Sequence, residues 1–264
     1  MKKFKNLLVV LLVIGTILSL ASGCSTTSKD AEVKNDQQQS LAGQTLFIYC
    51  GAGMTKPFGA IADQFKEETG CDVQVVYANA AQIQNQIQTT GEGDLFVAGS
   101  TDELTPVKDK VTESKDLVKH IPVLAVKSGN PLGITGLNDL TKEGVEVVLG
   151  DADATPIGKI ANKALSDLGI LNSVNVVARA ATAPEIANAL AVDECNAIIN
   201  WKENVPATNA EIVNTTDLNA YVKTVPAAKL SSSKNTEALT ALMAFLDTDA
   251  AKNIWKSNGY ELLN

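Results

Sequence analysis

An α/β fold of two lobes, each a mostly parallel sheet flanked by helices and joined by two crossover strands, is what this chain predicts. Three observations lead to it. Short apolar runs rich in β-formers alternate with amphipathic helical stretches, the pattern of parallel sheets covered on both faces. The alternation comes in two sets, one from Thr45 and another from Asn138 onward. Two extended runs, Ile121 to Lys127 and Thr224 to Leu230, link otherwise complete sets and would serve as the crossovers. The expected boundaries are 45–123 with 228–264 for the first lobe and 124–227 for the second.

Thr45 to Cys50 reads as a strand buried on both faces. Gly51-Ala52-Gly53 breaks it, and from Met54 the apolar positions Met54, Phe58, Ile61, Ala62 and Phe65 recur at the spacing of one helix face, up to Thr69-Gly70. The first amides of that helix, at Gly53, Met54 and Thr55, lack helical partners and sit at the positive end of the macrodipole, which makes the turn a candidate anion nest. It is not a nucleotide-hydrolase loop, because Lys56 is followed by Pro57, nor a dinucleotide fingerprint, which needs a third glycine where Lys56 stands.

Cys71 to Tyr77 reads as the next strand, Ala80 to Thr89 as a helix and Asp94 to Ala98 as a strand. Asn79-Ala80-Ala81 opens its helix at the same end of the sheet as Gly53, where ligands of such sheets bind. The second set has a helix near Asn138 to Lys142, a strand Val145 to Gly150 and a helix Ile157 to Leu168. It continues with a strand Asn175 to Ala178, a helix Pro184 to Ala191 and a strand Ala197 to Trp201. Thr155-Pro156 and Thr182-Ala-Pro184-Glu185 are helix-start signals, a hydroxyl at the cap and proline in the first turn. Asn235 to Leu246 and Asp249 to Ser257 are amphipathic helices that return to the first lobe.

The beginning of the chain has its own logic. Met1-Lys-Lys-Phe-Lys5 is basic, Leu7 to Leu20 is nearly all apolar, and Ala21-Ser-Gly-Cys24 is small, so residues 1–23 are expected to be a secretory signal. Cys24 after Ser22-Gly23 resembles a lipobox, in which the cysteine is lipidated. Residues 24–44 are polar and expected to form a disordered tether. The expected location is therefore the extracytoplasmic face of the cell membrane, held by lipid.

Composition narrows function. A net charge of −8 argues against nucleic acid. There is one histidine, His120, and no His/Cys cluster, so no metal site, histidine triad or cofactor is expected. Cys50, Cys71 and Cys195 are an odd set placed beside apolar residues and read as buried free thiols. Asp151 and Asp153 raise an extracellular hydrolase as a rival, yet aspartates favour the turn before a helix and no nucleophile with its base accompanies them. Arg179, the only arginine, could clamp a carboxylate, and aromatics at 5% are too few for sugar-stacking platforms.

The arrangement Tyr49-Cys-Gly-Ala-Gly-Met54, Tyr77-Ala-Asn-Ala-Ala-Gln-Ile83, Gly93-Asp-Leu-Phe-Val-Ala-Gly99, Gly150-Asp-Ala-Asp-Ala-Thr-Pro-Ile-Gly-Lys159 and Ile254-Trp-Lys-Ser-Asn-Gly-Tyr260 resembles the molybdate/tungstate-binding proteins of bacterial ABC importers. The likeness covers nearly all of Thr45 to Asn264. It implies the type 2 periplasmic-binding-protein fold and capture without chemistry. The implied partners are a permease and its ATPase, with the chain a monomer. In that family two serines, second-lobe amides and commonly a tyrosine hold the oxyanion. The serine positions fall here on Gly53 and Ala80, the amides near Ile157 and Ile186, and the tyrosine near Asn200, beside Trp201. The implied ligand set is thus Gly53, Met54, Asn79, Ala80, Thr155, Ile157, Ile186, Asn200 and Trp201, with side-chain donors from Asn79, Thr55, Thr155 and Asn200 in place of the serines. A different oxyanion or a small organic anion stays open as the alternative.

Overall fold

The computed structural model describes residues 40–263. The expected signal segment, Cys24 and the tether up to residue 39 lie outside the described residues. The end of the expected tether does not hold: Leu41 is buried in the first lobe's core, and its amide donates to Thr69 O at 2.8 Å. Its polar neighbours in the sequence hide a leucine that packs.

The chain runs β1 (Thr45–Gly51), a 3-10 turn (Ala52–Met54), α1 (Thr55–Thr69), β2 (Asp72–Ala78), α2 (Ala80–Thr90), β3 (Leu95–Val97), a 3-10 stretch (Thr101–Lys110) and β4 (Val111–His120). β5 (Pro122–Lys127), β6 (Val147–Gly150), α3 (Pro156–Asp167), β7 (Val176–Ala180), α4 (Ala183–Ala191), β8 (Ala197–Trp201) and β9 (Ala210–Ile212) follow. β10 (Lys223–Leu230), α5 (Thr236–Phe245), α6 (Asp249–Ser257) and β11 (Glu261–Leu262) close it.

Two sheets result. One has the order β11-β4-β10-β3-β1-β2, with β1 parallel to β2 and β3; the other has the order β7-β6-β8-β5-β9, with β6 parallel to β7 and β8. The parallel strand β6 is buried throughout, and β1 is buried at Leu46 and from Ile48 to Cys50, because helices cover both faces. α1 shows how a helix is fixed: Phe58, Ile61 and Phe65 point inward, and Gly70 ends it in the left-handed conformation that glycine adopts without a Cβ penalty. Each of those side chains contributes on the order of 1.5–3 kcal/mol by leaving water. Cys50, Cys71 and Cys195 are buried free thiols.

The crossovers differ from expectation. The run Ile121 to Lys127 does not bridge the sheets, because β5 pairs only with β8 and β9 in the second. The passage is Ile121, between β4 of the first sheet and β5. Likewise all of β10 pairs with β3 and β4, so the return lies in the stretch 213–222, and the expected boundary at 227/228 falls inside a first-sheet strand. β4 itself was not predicted: Thr-Glu-Ser-Lys-Asp is mostly exposed and carries no apolar alternation to mark it.

Phe58→Ala should cost about 3–5 kcal/mol in urea unfolding, since it opens a cavity between α1 and the first sheet. A loss below about 1 kcal/mol would mean that the helix is not seated as described.

Candidate functional site

Four helix starts face one another between the lobes, and their local chemistry determines which backbone amides stay unpaired. In α2, Asn79 is the cap: its Oδ1 accepts from Gln82 N at 2.9 Å, while Ala81 N donates across the cleft to Ala154 O at 3.4 Å. Ala80 N–H is left. In α3, Thr155 Oγ1 accepts from Gly158 N at 3.0 Å and Pro156 has no N–H, so Ile157 N–H is left. In α4, Thr182 Oγ1 accepts from Glu185 N at 3.3 Å and Pro184 has none to offer, so Ala183 N–H is left. At the glycine turn, Thr55 N donates to Ala52 O, which moves the open amides back from the expected Gly53, Met54 and Thr55 to Ala52 and Gly53.

All four groups line one cavity, with Gly51, Ala52, Gly53 and Met54, Asn79 and Ala80 from the first lobe and Thr155, Ile157, Thr182, Ala183 and Trp201 from the second. Its volume is about 40 Å³. A water needs roughly 10–15 Å³ by the same measure, so the space suits an ion of a few heavy atoms; drug-sized ligands occupy about 300 Å³ or more.

The lobes meet closely around it. Asn204, which follows β8, donates Nδ2 to Gly53 O at 3.0 Å, and a Cβ on Gly53 would lie 2.9 Å from Asn204 Oδ1. A side chain at 53 would displace the Asn204 amide of the opposite lobe; the backbone conformation itself does not call for glycine.

No lysine or arginine lines the cavity among the described residues; its ionisable side chains are Glu103 and His120. His120, at the end of β4, is buried and stacks on Trp201 with centroids 3.6 Å apart and planes at 15°. Its Nδ1 lies 2.7 Å from Gly99 O and therefore carries hydrogen, since a carbonyl only accepts; Nε2 lies 2.7 Å from Glu203 Oε1. Glu103 Oε2 accepts from Gly99 N at 3.2 Å. Burial is the main cause that pushes the Glu103 carboxyl up to about 8.

Other expected site residues lie elsewhere. Ile186 is in the core and its amide donates to Thr182 O at 3.2 Å inside α4, so the open amide of that helix is Ala183 instead. Asn200 is fully buried with both ends engaged, Nδ2 to Ala183 O at 3.0 Å and Oδ1 from Trp201 N at 2.9 Å; it holds the α4 start in place and does not line the cavity. Thr55 Oγ1 donates to Ala52 O and Thr155 Oγ1 to Asp151 O, so neither hydroxyl's hydrogen faces the cavity. Asn79 uses its oxygen in the cap, which leaves its NH₂ as the end able to donate to a guest. Asp151 Oδ1 accepts from Asp153 N at 2.8 Å, so the aspartates shape the turn before α3. Arg179 donates to Gly150 O at 3.0 Å within its own lobe. Glu103 and His120 escaped sequence reasoning: the first sits in a polar stretch without a motif. The second had one signal, being the sole histidine at the edge of an extended run.

The model of a family described as bacterial extracellular solute-binding protein matches residues 46–261. A Haemophilus influenzae binding protein is 32% identical over 151 residues, 56% of this chain and 62% of that relative, so the match spans less than two thirds of its length. The molybdate-binding protein ModA of Escherichia coli is 24% identical over 230 residues, 82% of this chain and 89% of its own. The solved molybdate-binding protein of Azotobacter vinelandii shares the fold with a TM-score of 0.71 at 14% identity, covering 83% of this chain and 100% of that one.

Gly53→Ala should shift the lobes toward an open arrangement by about 1–3 kcal/mol, and Asn204→Ala in the same chain should restore closure. Small-angle scattering with and without ligand would read this. A single variant that closes as well as the parent would show that the two tips do not approach so closely.

Proposed function

We propose, from the premise that this chain belongs to the family of bacterial extracellular solute-binding proteins, that it captures a small tetrahedral oxyanion, molybdate or tungstate, for an ABC importer. The observation that supports this reading is the convergence of four helix starts, each with an unpaired amide, on a cavity of about 40 Å³. An amide N–H at a helix start can only donate and sits in a positive field, so its best partner is an anion whose oxygens only accept. A tetrahedral dianion accepts hydrogen bonds at every oxygen. A guest that must donate one sets two hydrogens against each other and loses the bond on both sides.

The cavity's own lining supplies no cation for a carboxylate clamp; a larger organic anion would have to extend into the adjoining space past Lys159 and Lys163. The serines implied by the resemblance are replaced by Gly53 and Ala80. Amides survive that exchange, since any residue but proline supplies one. The E. coli sequence relative is named for molybdate, which supports this oxyanion; solved structures of the same fold are named for sulfate as well as molybdate.

Binding involves no chemistry here. The lobes close about Ile121 and the stretch 213–222, and the closed form docks on a permease driven by its ATPase. The chain acts as a monomer at the extracytoplasmic face, anchored through Cys24. No helix among the described residues is long and apolar enough to cross a membrane.

Molybdate and tungstate should raise the melting temperature while phosphate, partly protonated at neutral pH, does not. At a hundredfold excess over Kd the native state gains about 2.7 kcal/mol. Stabilisation by amino acids or sugars with none by oxyanions would reject the ligand, and hydrolysis of an ester or phosphate substrate would restore the enzyme rival.

A further inference from the structure

We propose that Glu103 is a specificity-determining contact of this cavity: its Oε1 carries a proton and donates it to an oxygen of the bound anion. The inference rests on the oxyanion reading above and names a side-chain donor that the helix starts do not supply.

Geometry comes first. Glu103 lies on the 3-10 stretch that follows β3, is 6% exposed and lines the cavity. Its two oxygens differ. Oε2 accepts from Gly99 N, whereas Oε1 is fully buried without a hydrogen-bond partner among the described residues. Oε1 lies 2.9 Å from where a Cβ on Gly99 would be, beside Pro156 of the opposite helix start, so glycine at 99 keeps the space before it clear. A buried polar oxygen without a partner is costly, and one beside an anion site has two ways out. As a carboxylate it would repel the guest; as an acid it would complete the guest's hydrogen bonds. A neutral acid in a dry site donating to an anion is a known use of burial.

The surroundings favour the acid. Burial holds the proton on, aided by Asp102 of the same stretch, and outweighs the Gly99 amide, Lys159 of α3 and the Ser100 amide, which draw it off; together they place the Glu103 carboxyl at about 8. The other groups around it are His120 at the end of β4, paired with Glu203, and Cys50 of β1, a thiol that burial pushes up. The sign follows. Below about 8 the proton is present and the anion is held; above it Glu103 ionises and affinity falls. The anion in turn disfavours the charged form, so binding on the alkaline side draws a proton in.

Calorimetry with tungstate from about pH 7 to about pH 10 tests this, on the full chain and on Glu103→Gln, which keeps a donor and cannot ionise. For the parent, affinity should fall about tenfold per pH unit above the acid's value, because only the protonated fraction binds. Titrations in buffers of different ionisation enthalpy should show a proton taken up. Glu103→Gln, whose amide is a weaker donor than a neutral acid, should bind about three- to tenfold less tightly than the parent near neutrality and show no alkaline fall. A flat profile in the parent, no proton uptake, or the same fall in Glu103→Gln overturns the inference and leaves oxyanion capture standing. No oxyanion binding at any pH overturns both. Should Glu103→Gln fail to fold, proton uptake by the parent decides alone.

Discussion

Backbone amides at helix starts have no partner in their own helix, and the whole site follows from how this chain satisfies all but one of them at α2, α3 and α4 and leaves two, Ala52 and Gly53, at the glycine turn. Caps from Asn79, Thr155 and Thr182 take the third amide of α2, α3 and α4, and prolines at 156 and 184 remove another in α3 and α4. In α2 the remaining one is taken by Ala154 O from the other lobe. What is left is a set of donors aimed into a space of about 40 Å³, the size of a compact ion. Hydrogen bonds to a charged partner contribute about 1.5–3 kcal/mol each, so a few donors suffice for tight capture without a single basic side chain.

The sheets are what make those donors converge. Parallel strands send β1, β2, β6 and β7 toward the cleft, so the turn after each delivers a helix start there. Contacts between lobes then hold the separation: Asn204 to Gly53 on one side and Ala81 to Ala154 on the other. These two are single hydrogen bonds; beside the hinge the lobes are also joined by His120 against Trp201 and Glu203 and by Lys202 with Glu261. Closure can therefore be governed by the guest, which interacts with both halves only when they meet.

Much of this was legible in the residues. Strand-helix alternation gave the two sheets, and Thr-Pro, Thr-x-Pro-Glu, Asn-Ala-Ala and the Gly-Ala-Gly turn marked the four helix starts, because caps, prolines and glycines act locally. Polar strands such as β4 were invisible, since pairing with β10 rather than burial of their own side chains holds them. Short β9 and β11 left no pattern at all. The crossovers were misplaced because extended runs next to a hinge look the same whichever sheet they join. At the site, Ile186 and Asn200 were transferred by resemblance and are buried supports: Ile186 one turn into α4, and Asn200 behind the lining, bonded to Ala183 and Trp201. Glu103 and His120 could not be read, because what sets them apart is burial, and burial of a lone polar residue is decided by distant segments.

The central claim is that unpaired amides at four opposed helix starts hold the ligand, and backbone NMR of the ¹⁵N-labelled chain tests it most directly. On adding molybdate, the amide protons of Gly53, Ala80, Ile157 and Ala183 should move downfield together at one saturating concentration, as expected for new charge-assisted hydrogen bonds. If those four stay in place while amides elsewhere respond, the guest binds outside this cavity and the account is contradicted.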